Sequence, residues 1–351
     1  MPSSYTWNTQ QIIRETADTV TIIFDTRGET FHYLAGQFIN LTLRIDGRPV
    51  SRSYSLSSVP HTDTTPSITI KKVAGGVMSS YIIDNAENIH SWDIDGPYGA
   101  FTLDDDTSHY RHVVLLAGGS GITPLFSIAR SIAHQQPDTK ITLLYASRSV
   151  PDTIFKTALD NWEAQHNNIR IQYVLSKHTA AADDPANIMT GRLNRIIIKK
   201  LIKQAIGNTT APAHFFLCGP AELMKLHQES LSSLGIPETH IRQESFAVES
   251  SAPAIALPDT PQEVLLHYYE QCNLLEVQPG QTILAAALEE RIPLSHSCQS
   301  GTCGRCAARL TQGAVHMQQN YALRKEELDA GYVLLCQSFP LNNEVTVNIG
   351  E

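Results

Sequence analysis

Four cysteines near the C-terminal end constrain this chain more than any other feature. Cys298-Gln299-Ser300-Gly301-Thr302-Cys303-Gly304-Arg305-Cys306 has the spacing C-x4-C-x2-C, and Cys336 follows 30 residues later. This is the plant-type spacing in which four thiolates hold a [2Fe-2S] cluster. A loop that wraps so compact an anion turns its backbone N–H groups inward. Gly301 and Gly304 suit that, because side chains there would obstruct close approach. Ser300 and Thr302 can add hydroxyl donors that tune the metal centre. Structural zinc is the competing metal, but its usual signature is two CxxC-like pairs, and the five-residue step from Cys298 to Cys303 suits a loop folded over a cluster. A Rieske centre needs His in place of two Cys, and neither His296 nor His316 stands at a Cys-x-His or Cys-x-x-His spacing. Cys218 and Cys272 fall on expected strands, where a cysteine usually serves as a small buried hydrophobe.

The chain has 351 residues, which at roughly 100–200 residues per domain implies two or three domains. A hydrophobic fraction of 42% with 17% charged residues is that of an ordinary globular protein and excludes disorder, fibres and collagen-like repeats. No stretch approaches the roughly 18 apolar residues of a membrane helix, and Met1 to Gln10 lacks the basic start and apolar centre of a secretory signal. A cytoplasmic protein without membrane insertion is the expectation. The net charge of −9, with no clustered Lys and Arg, argues against nucleic acid. Small anions held at local sites, or proteins, are the expected partners.

Three segments follow one another. From Thr6 to about Leu103 the stretches 19–24, 38–43 and 67–73 are β-branched and partly alternating, separated by turns such as Asp46-Gly47 and Gly75-Gly76. This predicts a small antiparallel β-barrel. After the acidic loop Asp104-Asp105-Asp106, apolar strands (His112 to Ala117, Ile141 to Tyr145, Ile169 to Leu175, His214 to Cys218) alternate with helical runs such as Leu125 to His134. That grammar predicts an α/β domain with a parallel sheet. A linker at 248–261, rich in Pro, Ala and Ser, precedes a third unit with a strand over Glu263 to Tyr269, a turn at Gln278-Pro279-Gly280, a helix over Thr282 to Glu290 and the cysteine loop. The limits drawn are 1–108, 109–247, 248–261 and 262–351. The last unit carries about −5 of the charge, which suits docking on a basic protein surface or simply maintains solubility.

Gly119-Ser120-Gly121-Ile122-Thr123-Pro124 follows an apolar strand and opens a helix. Pro124 replaces the third Gly of GxGxxG, so the motif alone is weak. Its setting is stronger: a strand, a tight Gly turn and a helix N-terminus present backbone donors to a pyrophosphate. Pro124 is acceptable in the first helical turn, where its missing N–H has no partner. The alternative is a tight turn without a ligand. Cys218-Gly219-Pro220 ends a later strand, where open α/β sheets place ligands or merely turn.

With these parts in view the chain resembles the ferredoxin-NADP reductase superfamily fused to a plant-type ferredoxin domain of α+β (β-grasp) fold, over essentially its whole length. Arg52-Ser53-Tyr54-Ser55 matches that family's RxYS flavin motif. The resemblance implies Arg52 on the flavin phosphates, Tyr54 stacked on the isoalloxazine and Ser55 near N5. Guanidinium grip on a diphosphate and an aromatic face over a flat ring agree with it. Gly75-Gly76-Val77-Met78-Ser79-Ser80 resembles the second flavin-phosphate loop, with Ser79 and Ser80 as donors at a helix start, and favours FAD over FMN. By the same resemblance Gly119 to Pro124 hold the nicotinamide nucleotide, Cys218, Gly219 and Pro220 border the place where nicotinamide meets flavin, and Phe246 stands beside the flavin. Plant ferredoxin reductases end in an aromatic residue that shields the flavin. This chain continues past Phe246, which leaves its part open. Asn320-Tyr321-Ala322-Leu323 and Ala330 to Gln337, with the domain order, resemble the reductase component of phenylacetyl-CoA epoxidase and similar multicomponent oxygenases.

The implied activity is an NAD(P)H-dependent reductase in which Tyr54, Ser55 and Cys218 attend hydride transfer and Cys298, Cys303, Cys306 and Cys336 hold the metal. A flavin converts two-electron into one-electron chemistry between nicotinamide and cluster. The acceptor expected is a protein such as a di-iron oxygenase component. A desaturase, a cytochrome or a ferredoxin is the alternative, as is a passive electron carrier with an inactive reductase half. Ser147 and Arg148, after the second strand of the nucleotide domain, would face the adenosine ribose and favour NADPH. Against this stands an Arg148 on the surface or over the adenine, with Asp152 offsetting its charge.

Overall fold

The computed structural model describes residues 3–349 except 61, 104–106, 108, 182, 208–211, 247–254, 270, 297, 300, 302, 321 and 324. The acidic loop 104–106, half of the linker 248–261, Ser300, Thr302 and Tyr321 therefore lie outside the described residues. Among those described, no helix is long and apolar enough to cross a membrane.

The first unit is a curled six-stranded antiparallel sheet. Its strands are β1 (Ser3–Thr16), β2 (Thr19–Asp25), β3 (Phe38–Ile45), β4 (Arg48–Ser55), β5 (Ser67–Lys71) and β6 (Ser91–Tyr98), in the spatial order β4-β3-β6-β1-β2-β5. Beyond β4 the chain bridges Leu56 to Ile68 on β5, and Ser57 N–H donates to the Ser67 carbonyl at 2.8 Å, so the two edges meet and the sheet closes. Trp7, Phe24, Ile39, Leu41 and Trp92 are fully buried inside it. Helix α1 (Val77–Asn85) packs Met78 and Ile82 onto that core. β6 alternates exposed and buried residues as a strand should, yet Asp93, Asp95, Gly96 and Pro97 hide it from a propensity reading.

In the second unit six parallel strands run in the order β10-β9-β8-β7-β11-β12: β7 (His112–Gly118), β8 (Lys140–Ser147), β9 (Ile169–Leu175), β10 (Ile188–Thr190), β11 (Ala213–Gly219) and β12 (Ile241–Ser245). Helices α2 (Ile122–Gln135) and α3 (Lys156–Gln165) cover one face, and α4 (Arg195–Ile206) and α5 (Ala221–Ser233) the other. Every residue of β7 is buried, which is why it reads as an unbroken apolar run. The chain moves outward from β7 through β8, β9 and β10, then returns to place β11 on the other side of β7. That reversal opens a crevice beyond the carboxyl ends of β7 and β11. Helix α2 starts at Ile122 rather than Leu125, because Pro124 fits within a first turn.

Side chains of α2 fasten this unit to the barrel. Arg130 grips Asp63 with two hydrogen bonds of 2.6 and 3.0 Å, and Ser127 Oγ donates to the Ser58 carbonyl at 2.6 Å.

The third unit has β13 (Gln262–Tyr268), β14 (Gln271–Val277), α6 (Ile283–Glu289), β15 (Ala307–Gln312), β16 (Val315–Met317), α7 (Lys325–Asp329), β17 (Tyr332–Leu334), β18 (Ser338–Pro340) and β19 (Val345–Ile349). The main sheet runs β14-β13-β19-β15-β17, with β13 and β19 parallel and the other pairs antiparallel. Ile283, Leu284 and Ala287 of α6 fill its core, and Thr282 caps that helix by accepting the Ala285 N–H at 3.2 Å.

The helix α5 carries a buried His227, 1% exposed, whose two ring nitrogens have no partner among the described residues. Burial lowers its pKa to about 4. The folded state thus keeps the ring neutral in a range where the unfolded ring, with a pKa near 6.5, binds a proton. Stability is lost as pH falls from 6.5 toward 4. At pH 5 the cost is about 2 kcal/mol, so the stability of His227→Leu relative to wild type should rise by that amount between pH 7.5 and pH 5. Chemical denaturation at the two pH values checks this, and a pH-independent difference would refute it.

Candidate active site and cluster loop

A cleft of about 1100 Å³ lies where the barrel meets the other two units, and Arg52, Ser53, Ser55, Glu244, Phe246, His296 and Cys298 are among its lining residues. Strand β4 supplies the first three. The Arg52 guanidinium is exposed and bonds the Ser51 carbonyl at 2.7 Å, with no carboxylate paired to it among the described residues, which leaves a cation open to a phosphate. Ser53 Oγ donates to Asn40 Oδ1 at 2.6 Å, and Asn40 Nδ2 is buried without a partner among the described residues. The half-buried Tyr54 side chain packs against the barrel core, and Ser53 and Ser55 on either side of it line the cleft. Burial raises the Tyr54 pKa, keeping the phenol neutral.

The loop from Gly75 leads into α1. Gly76 is the N-cap residue and no side chain caps the helix. Ser79 Oγ turns back to accept the Val73 N–H at 3.1 Å, and Met78 is buried in the barrel core. Ser79 and Met78 therefore brace the loop from beneath, while Gly75, Val77 and Ser80 form its outer side.

Two motifs about a hundred residues apart touch at the crevice. A Cβ on Gly121 would fall 2.1 Å from the Cys218 carbonyl oxygen, and Gly219 lies close against Gly118. Only glycine permits this approach. Tyr145 OH and Thr123 Oγ1 donate to the carbonyls of Gly119 and Ser120 at 3.0 and 2.8 Å, so the turn's acceptors are engaged from within. Its amides and the uncapped start of α2 are what remains for an anion. Ile122, Thr123 and Pro124 are buried and pack rather than reach outward. Cys218 is also fully buried, in the core beside Ala117 and Ile122, and Pro220 is the N-cap residue of α5.

Past β8, Arg148 pairs with Asp18 of the barrel at 2.8 Å and with Asp152 at 2.7 Å. Ser147 Oγ donates to the Asp152 carbonyl at 3.1 Å. Burial alone would raise the Asp18 pKa, but hydrogen bonds from Lys71 and Thr16 and the charge of Lys71 hold it near about 2. The positive charge expected of Arg148 is thus already shared by two carboxylates. Lys177, whose N–H donates to the Arg148 carbonyl at 2.7 Å, is exposed and has no ion pair among the described residues. Its place was not evident from the sequence because it lies beyond a different strand.

The four cysteines resolve into two pairs. Cys303 N–H donates to Cys298 Sγ at 3.3 Å and the two thiols are hydrogen-bond partners, as are those of Cys306 and Cys336. Hydrogen bonding to the partner thiol raises Cys303 and Cys306 and lowers Cys336. Among the described residues no three His, Cys, Asp or Glu side chains converge on one metal position. Two pairs of thiols suit two irons, each with two protein ligands, better than one tetrahedral zinc. Gly301, at φ +76°, would place a Cβ 2.9 Å from the Gln319 carbonyl oxygen, so the loop closes only with glycine there. Cys298 and Cys303 lie against Phe38 and Tyr98 of the barrel.

Comparison with known proteins agrees with these sites. Family models match an oxidoreductase FAD-binding domain at residues 7–103, an oxidoreductase NAD-binding domain at 115–229 and a 2Fe-2S iron-sulfur cluster binding domain at 271–341. The ferredoxin reductase component of 3-ketosteroid-9-alpha-monooxygenase from Rhodococcus rhodochrous is 30% identical over 96% of this chain and 94% of its own. The chain belongs to this reductase family. A glycine betaine monooxygenase reductase subunit of Pseudomonas aeruginosa is 29% identical, covering 95% of this chain and 93% of that one. A component of 1,2-phenylacetyl-CoA epoxidase from Escherichia coli is 26% identical, covering 99% and 98%. The fold matches phthalate dioxygenase reductase with a TM-score of 0.61 at 22% identity, over 99% of this chain and 98% of that chain. The reductase is therefore an NAD(P)H-dependent oxidoreductase with FAD and a [2Fe-2S] cluster.

Glu244 was missed in the sequence, although a carboxylate at the end of the last parallel strand is the kind of residue that reaches a ligand crevice. It stands beside Cys218 in the β11–β12 register, and its Oε2 is buried without a partner among the described residues. Burial raises its pKa to about 8. Between the ordinary carboxyl value of 4.5 and 8 the folded protein binds the extra proton, so stability falls as pH rises through that window. Glu244→Gln should accordingly gain melting temperature over wild type from pH 5 to pH 8 in the flavin-free protein. Scanning calorimetry across the range reads it, and parallel profiles would show that Glu244 is ionised in the fold.

Proposed function

We propose that this reductase draws electrons from NADPH and delivers them singly to the oxygenase component of a cytoplasmic multicomponent system. The observation that carries this reading is the Cys298–Cys303 pair seated on Phe38 and Tyr98, with Cys298 facing the same cleft as the RxYS strand. Its relatives are reductase components of monooxygenases and of an epoxidase, and the net negative charge of 262–351 suits a basic acceptor surface. The limits 1–108, 109–247, 248–261 and 262–351 remain our division of the chain.

Bound FAD supplies the exchange between hydride transfer from nicotinamide and single-electron transfer to the cluster. Arg52 holds the diphosphate, and Gly75 to Ser80 extend that hold through backbone amides. Ser53 and Ser55 offer hydroxyls along the cleft, while Tyr54 forms the aromatic support at the strand end. The turn at Gly119, Ser120 and Gly121 anchors the nucleotide phosphates, with Ile122, Thr123 and Pro124 fixing the turn. Cys218, Gly219 and Pro220 shape the wall opposite, Glu244 holds a proton beside it, and Phe246 covers the cleft mouth. Orientation of the reacting groups in a site closed to water is the main catalytic contribution. Cys298, Cys303, Cys306 and Cys336 hold the irons.

Purified protein should contain about two irons and two acid-labile sulfides per chain. Cys303→Ser should abolish the cluster absorption while flavin reduction by anaerobic NAD(P)H persists. Zinc without sulfide would end this reading.

For nucleotide choice, Lys177→Ala should cost NADPH roughly 1.5–3 kcal/mol in kcat/KM, the range for a charge-assisted hydrogen bond, with NADH nearly unchanged. Arg148→Ala should affect both nucleotides alike, because Asp18 and Asp152 already take up its charge. Steady-state dye reduction decides the matter, and an NADPH-specific loss confined to Arg148→Ala would return the role to Arg148.

A further inference from the structure

One ion pair joins the barrel to the cluster loop. Arg305 stands between Cys303 and Cys306, and its Nε lies 3.1 Å from Asp95 Oδ2 on β6. The same oxygen accepts the Tyr98 hydroxyl at 2.5 Å. Both side chains are mostly withdrawn from water, 28% exposed for Arg305 and 13% for Asp95, and Asp95 Oδ1 has no partner among the described residues. A carboxylate with a buried, unpartnered oxygen is costly to keep unless the charge it meets compensates it. The charge it meets comes from another domain.

The pair is also coupled to the metal ligands. The Arg305 backbone N–H donates to Cys303 Sγ, and Tyr98, held by Asp95, stacks tilted against Phe38 at 5.8 Å between centroids. Those two rings are the surface on which Cys298 and Cys303 rest. The unit 262–351 and the remainder of the chain are both net negative, so their general electrostatics oppose docking. A local attraction of opposite sign is needed where they meet.

We propose that Asp95, Tyr98 and Arg305 form a latch that docks the cluster loop on the barrel, and that Asp95 and Arg305 are positioning residues for the internal flavin-to-cluster electron transfer. The proposal rests on the reading that the cleft holds flavin and the loop holds the cluster. Arg305 acts through the backbone that carries Cys303 and Cys306, and Asp95 acts through Tyr98.

The test uses the holoprotein as wild type, Asp95→Asn, Arg305→Gln and the reversed pair Asp95→Arg with Arg305→Asp. Anaerobic rapid mixing with reduced nucleotide follows flavin and cluster bleaching separately, so that cluster reduction is expressed relative to flavin reduction in each protein. Each single variant should lower that ratio about tenfold, corresponding to ~1.4 kcal/mol of docking free energy, and the reversed pair should recover most of it. Small-angle scattering should show a larger radius of gyration in the single variants. Iron content and the electron paramagnetic resonance of the dithionite-reduced cluster should match wild type. Wild-type ratios and scattering in both single variants would overturn the latch, and so would loss of iron in step with loss of rate, since the pair would then hold the ligand loop rather than the domains. Absence of flavin or sulfide from the wild-type protein would instead refute the underlying site reading, independently of any variant.

Discussion

The seating of the cysteine loop on the barrel depends on the contact of two aromatic rings with two cysteine side chains. Phe38 and Tyr98 are both nearly buried, and Cys303 lies against them with Cys298 alongside. The contact is apolar and brings the cysteine loop directly up to the barrel. It also explains which strands of the barrel face the cluster. Phe38 begins β3 and Tyr98 ends β6, paired directly across the sheet, so one ladder position presents both rings. Gly99 makes room for this, because a Cβ there would lie 2.9 Å from the Phe38 ring.

The nucleotide side is held to the barrel by a different kind of contact. The bidentate Arg130–Asp63 pair and the Ser127 hydrogen bond run from α2 into the loop after β4, the same helix whose start carries the Gly119–Gly121 turn. Fixing α2 to the barrel therefore fixes the Gly119–Gly121 turn relative to the barrel strands. The Arg242 guanidinium adds a bond of 2.7 Å to the Thr102 carbonyl, tying the segment that bears Glu244 to the end of the barrel. Hydride transfer tolerates little misplacement of its partners, and these contacts run through the elements that carry the two halves of the site.

Much of this was legible in the sequence wherever a motif encodes its own backbone geometry. The C-x4-C-x2-C loop, the Gly turn after an apolar strand and the RxYS strand each concentrate their chemistry in a few consecutive residues. What could not be read were pairings made by the fold. Nothing in the order of residues says that Asp18 will reach Arg148, that Asp95 will meet Arg305, or that Glu244 will stand beside Cys218. The strand β6 was missed for a related reason: its acidic and turn-forming residues are tolerated because β1 and β3 flank it on both sides. Cys218 and Ser79 show the converse. Each belongs to a recognisable motif, yet each side chain turns inward, because the motif positions backbone rather than that side chain.

The network around Arg148 links the two ends of the reductase half. Lys71 and Arg148 share Asp18, and Arg148 also holds Asp152, so the turn between β1 and β2 of the barrel is bonded to the loop after β8 in the nucleotide domain. A 2′-phosphate that recruits Arg148 has to draw it from both carboxylates, and the release of Asp18 would loosen that domain contact. A phosphate held by Lys177 leaves the contact intact. The Asp18 and Asp152 pairs therefore oppose any new bond to Arg148, because the free energy of that bond is reduced by that of the two it replaces.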